Sequence, residues 1–114
     1  MTLKEFKNKL EATPKEIAFI ETMSVIESLY DFTPTTFNNG ALVNEAEQNS
    51  GSCKLFAFAI RQGFTAPQTL ACFGTYYFDE VLQDPNGTGH QNIRSFMKTG
   101  FKGLQFKGEV LLEK

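Results

Sequence analysis

Two residues in this chain have side chains suited to covalent chemistry. Cys53 lies in Asn49-Ser50-Gly51-Ser52-Cys53-Lys54, where polar helix-starting residues lead into the most apolar run of the chain. If Asn49 or Ser50 caps a helix there, Cys53 falls in its first turn. Unpaired backbone N–H groups and the helix dipole favour a thiolate at that position, and Lys54 adds a positive charge. A thiolate nucleophile also needs a base. His90 is the single histidine, and it follows Gly87-Thr88-Gly89 at the predicted start of another helix. Asn92 is a candidate to orient the imidazole, although helix positions i and i+2 point about 200° apart. Cys53 with His90 is thus the candidate catalytic pair of a cysteine-dependent hydrolase or transferase. The competing reading is a small buried thiol and a helix-capping histidine, the commoner state of such residues.

A second set of residues suits non-covalent recognition. Asn39, Asn44, Glu45 and Asn49 belong to a polar stretch predicted as surface loop, and Lys54, His90 and Asn92 join them as candidate binding residues. Loops on a rigid scaffold often carry binding, while turn and cap chemistry uses the same residue types. No His, Cys, Asp and Glu spacing points to a metal, and no glycine-rich phosphate motif points to a cofactor. Neither is expected. Asp84 to His90 has a superficial likeness to a calcium loop, but position twelve of that loop would be Ser95.

These residues must be placed by a small set of elements. Thr2 and Glu5 read as a capping box for a helix to Ala12. Thr13-Pro14-Lys15-Glu16 reads as a second helix start, with the helix running to Tyr30 and Phe19, Met23, Ile26 and Tyr30 as its apolar stripe. Pro34 ends it. Thr35–Phe37 and Ala41–Val43 flank Asn39-Gly40, a strong hairpin signal. The third helix runs from Asn49 or Ser50 to Gly63. Thr65 and Gln68 box a fourth, which Gly74 interrupts before a second segment over Tyr76–Leu82. Three consecutive aromatics, Tyr76, Tyr77 and Phe78, cannot all face one core on a helix. Thr88 with Gln91 marks a fifth helix that ends before Gly100. Leu104 and Phe106 then alternate as a strand, Lys107-Gly108 turns, and Val110–Leu112 returns. The expected architecture is a single α+β domain over 1–114, with about five helices on a small antiparallel sheet.

Composition narrows the function classes. The chain has 114 residues, 12 Phe, no Trp and a net charge of −2, which suits a packed globule and excludes a basic nucleic-acid footprint. Two cysteines 19 apart, each in an apolar run, predict reduced thiols and a cytosolic origin. No signal peptide and no membrane-spanning run are expected. Residues 16–47 hold six carboxylates without Lys or Arg, and residues 85–108 hold Arg94, Lys98, Lys102 and Lys107 without Asp or Glu. Two solvated faces explain this, or a dipolar surface for a partner.

The runs Tyr30-Asp31-Phe32-Thr33-Pro34-Thr35, Asn39-Gly40, Gly51–Ala59, Gln68-Thr69-Leu70-Ala71-Cys72-Phe73-Gly74 and His90–Lys98, in this order, resemble the HopJ-type family over about residues 15–106. That family is named after a type III effector of plant-pathogenic Pseudomonas. The resemblance implies delivery into a host cell by type III secretion and brings no enzyme activity with it. Such secretion signals are typically extended, whereas residues 2–12 read here as a capped helix, so a resident cytoplasmic bacterial protein is the leading expectation. The expected role is a small binding domain for a protein or small-molecule ligand, with a homodimer allowed by the aromatic run, and no nucleic-acid or membrane partner.

Overall fold

A computed structural model describes residues 1–114. The first helix, α1 (Leu3–Ala12), starts as its sequence dictates. Thr2 Oγ1 accepts the Glu5 N–H at 3.1 Å and the Glu5 carboxylate accepts the Thr2 N–H at 2.8 Å. The predicted second helix is divided. Pro14–Glu16 makes one 3₁₀ turn, Ile17 is extended and buried, and α2 runs only from Phe19 to Leu29. Thr13 therefore caps no long helix. Ala18 has no side chain to cap α2, so Glu21 reaches back to the Ala18 N–H at 2.8 Å while pairing with Lys9 at 2.9 Å. The break has a tertiary cause. The turn at Gly74 packs directly on the Ile17–Phe19 backbone, and Thr22 donates to the Cys72 carbonyl at 2.8 Å beside it.

Two small antiparallel sheets take the place of one. β1 (Tyr30–Phe32) pairs with β5 (Leu111–Glu113), and β2 (Phe37–Asn39) lies between β3 (Leu42–Asn44) and β4 (Leu104–Phe106). The predicted hairpin exists, but Asn39 pairs with Leu42, so Gly40 and Ala41 form its turn and Gly40 supplies the positive φ. Asn39 and Asn44 are strand residues, not loop residues. The expected return at Lys107-Gly108 makes no hairpin. Phe106 stacks on Phe37 in one sheet, whereas Leu111 is buried and joins β1 in the other.

The helix α3 (Ser50–Gln62) is the axis of the core, with Cys53, Leu55, Phe56, Phe58 and Ala59 buried. Phe56 meets Phe37, Phe73 and Phe96, and Phe58 meets Phe6, Tyr30 and Phe64. Gly63 ends the helix in the left-handed region. Next come α4 (Ala66–Ala71), boxed by Thr65 and Gln68, and then a π-helical segment, Tyr76–Val81. On that segment Tyr77 and Phe78 pack toward the core and Tyr76 is exposed. The last helix, α5 (Gln91–Thr99), buries Ile93 and Phe96. Its N-cap is His90. Thr88 does not cap it; its carbonyl instead accepts from the Gln91 side chain. A 3₁₀ turn, Gly100–Gly103, leads into β4. No helix is long and apolar enough to cross a membrane. The whole is an α+β domain, helices packed on two small sheets.

Candidate functional site

Alternation along a strand sends every second side chain to one face. Phe37 and Asn39 on β2, with Leu42 and Asn44 opposite them, share the face toward α5. There they meet Asn92, in the first turn of α5. Asn39 Nδ2 donates to the Asn92 backbone carbonyl at 2.8 Å and to Asn92 Oδ1 at 3.0 Å. Asn92 and Asn44 bond reciprocally, Nδ2 to Oδ1, at 3.0 and 3.1 Å. Asn49 Nδ2 completes the series on Asn44 Oδ1 at 2.7 Å.

One backbone carbonyl sets the direction of all four amides. A carbonyl only accepts, so Asn39 must turn its NH₂ toward Asn92. That NH₂ fixes Asn92 Oδ1, which fixes Asn44, which fixes Asn49. The ladder runs from Asn39, fully buried, to Asn49, exposed at the rim. Asn39 Oδ1 is the one buried side-chain oxygen without a partner.

The ladder flanks a cleft of about 570 Å³ between the starts of α3 and α5. Asn44, Asn49, Asn92, Gln48, Gln91, Ser52 and His90 supply its polar lining, and no Asp, Glu, Lys or Arg lines it. Both helix caps, Asn49 (φ 52°) and His90 (φ 56°), are left-handed, and neither side chain caps its helix. The opposite wall is an aromatic stack. Phe73 lies on Phe19 with centroids 6.1 Å apart, Phe19 meets Tyr76 at 5.3 Å, and Tyr76 meets His90 at 5.1 Å. His90 Nε2 sits 2.9 Å from Glu80 Oε1. Gly51 lets Phe19 lie against α3, because a Cβ there would stand 2.9 Å from the ring.

The structure thus brings Asn44, Asn49, Asn92 and His90 to one cleft, with Asn39 one amide deeper. It does not bring Cys53 there. Cys53 is 1% exposed, on the core side of α3, and its thiol donates to the Thr35 carbonyl at 3.7 Å. Burial pushes that thiol up to about 11, and burial pushes Cys72 up to about 12. His90 turns Nε2 to Glu80, and Asn92 turns its side-chain oxygen to Asn44 and Asn39 and one N–H to Asn44, so no nucleophile, base and orienter line up. Lys54 turns away to Glu27 at 3.6 Å and to the Phe32 ring. Glu45 is exposed outside the cleft, its N–H bonded to Gln48. Sequence reasoning singles out Tyr76 only within the aromatic run, and it misses Ser52, Gln91, Phe19 and Glu80 as cleft residues or neighbours. A search for side chains at helix starts finds Ser52 and Gln91; only the folded chain brings in the others.

The thiols make a pH prediction. A folded pKa above the unfolded value near 9 means that stability is whole below pH 9 and falls as pH rises toward 11, because the unfolded chain ionises first. Native protein is expected to resist iodoacetamide at pH 8, and its urea midpoint is expected to drop between pH 9 and 11, with the drop reduced in Cys53→Ala. Rapid labelling of Cys53 in the native fold at pH 8 would contradict this.

With the geometry in place, the comparisons add two matches. Residues 3–111 match the family described as "HopJ type III effector protein". A solved structure, that of VPA0580, a protein of unknown function, is similar over 100% of this chain and 95% of that one, with 47% sequence identity and a TM-score of 0.97. Among curated proteins, none matches.

Proposed function

The chain belongs to the HopJ family, and from that premise we propose that it is a small binding domain whose cleft takes a ligand through an oxyanion, a carboxylate or a phosphate. One observation carries the reading. Asn44 Oδ1 accepts from Asn49 and Asn92, and Asn92 Oδ1 accepts from Asn39 and Asn44, so both oxygens are fully used. Each NH₂ has two hydrogens, and in each residue only one is spent within the ladder. The buried amide pair therefore offers the cleft N–H groups and nothing else. Ser52 Oγ and the first-turn N–H groups of α3 add donors at the same mouth, and no Asp or Glu is among the lining residues.

Titration of ¹⁵N-labelled protein with N-acetylleucine, inorganic phosphate and the neutral N-acetylleucinamide tests this. The oxyanions are expected to shift the Asn44 and Asn92 side-chain amide signals, and the neutral amide to leave them in place. Ser52→Asp should abolish the response without loss of fold, since an aspartate in the first turn of a helix is favourable. Equal shifts by the acid and its amide, or none by either oxyanion, count against the reading.

A second reading, translocation as an effector, is supported by the family description. Export of a reporter fused to Met1–Tyr30 through a type III machine is its test, and retention of that reporter in the producing cell counts against it.

A further inference from the structure

Leu42 and Gln91 line the cleft on one side and a second groove, of about 770 Å³, on the other. The two differ in character. The cleft sets amides against an aromatic wall and has no Asp, Glu, Lys or Arg in its lining. The groove exposes Leu82 and Met97, 42% and 45% accessible, and its charged lining residues are both cations, Arg94 and Lys98. Arg94 donates to the Asp84 and Gly89 carbonyls, which fixes the side chain, and the Asp84 carboxylate lies near its guanidinium beside Gly87, so Lys98 is the freer of the two cations. Neither cation makes an ion pair, whereas Lys9, Lys54 and Arg61 each pair with a glutamate. The acidic stretch 16–47 thus finds part of its counter-charge in Lys9 and Lys54, whereas in the basic stretch 85–108 no Lys or Arg forms an ion pair, the Asp84 carboxylate lying near Arg94 beside Gly87 without bridging it.

We infer that the ligand of the cleft is the C-terminus of a polypeptide. Its terminal carboxylate takes the spare N–H groups of Asn44 and Asn92. The preceding residues cross Leu42 and Gln91, an apolar side chain lies against Leu82 and Met97, and acidic side chains face Arg94 and Lys98. A chain end is what combines a carboxylate, which suits the donor-only Asn44 and Asn92 pair, with an adjoining apolar and acidic segment, which suits the groove. The inference rests on the oxyanion reading above.

The test uses peptides randomised at their last residues, immobilised through their N-termini, and made both with a free carboxylate and as C-terminal amides. The protein is expected to select free-carboxylate sequences with apolar residues near the end and acidic ones upstream, and to ignore the amides. Met97→Glu is expected to weaken a selected peptide about tenfold, the loss of one anchoring contact, and to leave N-acetylleucine binding within about twofold. Binding of N-acetylleucine with no selection among the peptides overturns the inference and spares the cleft reading. Absence of binding by both removes the two together. Retention of amidated peptides overturns the inference whatever the small anion does.

Discussion

Asn92→Ala is expected to destabilise the fold by about 3–4 kcal/mol, far more than a lone surface amide. The substitution removes three side-chain hydrogen bonds, two to Asn44 and one to Asn39. It leaves an N–H of Asn44 and an N–H of Asn39 without acceptors in a site where both residues are buried. An orphaned buried donor costs more than a made bond contributes, which is why the effect exceeds the simple count. Asn49→Ala removes one bond at the exposed end of the same series and is expected to cost about 1 kcal/mol or less. Urea denaturation of the two variants compares them directly. Equal losses would mean that the ladder does not act as one buried unit.

Gly74→Ala is the second large effect, expected at about 3 kcal/mol, of which the left-handed backbone accounts for roughly 1–2. Gly74 has φ +64°, and a Cβ would meet the Ile17 carbonyl oxygen at 2.8 Å and the Phe19 nitrogen at 2.9 Å. Both are backbone atoms and cannot rotate aside. The joint that launches α2 must shift, and Phe19 with it. Gly63→Ala separates the two contributions, since Gly63 has φ +69° and open space around the missing Cβ. It is expected to cost only the conformational part, about 1–2 kcal/mol. If the urea midpoints show no larger loss at 74 than at 63, the joint yields and the close approach is not a constraint.

Legibility followed the range of the interaction. Thr2 with Glu5, Thr65 with Gln68, and Gly63 could be read from the sequence, because each acts on backbone within a turn of itself. The apolar stretch around Phe56 also declared itself, as a helix that must be buried on one side. The Thr13-Pro14 signal does not locate the start of α2, because the deciding contact, Gly74 on Ile17, is with a distant segment. The partner of Val110–Leu112 is hidden for a similar reason, since β1 is far away in sequence. At the site, Asn44, Asn49, Asn92 and His90 are sequence candidates that the fold brings to one cleft, while the arrangement of Cys53, His90 and Asn92 does not form. Proximity in sequence suggests His90 as the partner of Asn92, yet its partners are 48 and 53 residues away. Cys53 lies in the first turn of its helix, as the sequence predicts. The dipole argument failed because that turn presents Ser52 to the cleft and Cys53 to the core, and desolvation outweighs the favourable position.

The amide ladder also bears on chemical ageing. Asn39-Gly40 is an asparagine–glycine pair, the kind most prone to deamidate, since a glycine nitrogen has little steric hindrance to attacking the preceding side-chain carbonyl. In the folded chain the Gly40 nitrogen is bonded to the Gly103 carbonyl at 2.9 Å, and the Asn39 amide is held by Asn92. Neither partner is free to close the succinimide ring. Every unfolding excursion releases both. An aspartate formed at position 39 then lacks the N–H groups that the Asn92 carbonyl and amide require, so the modified chain cannot rebuild the ladder. The working lifetime of the protein is tied in this way to how seldom it opens, and not only to how stable it is once closed.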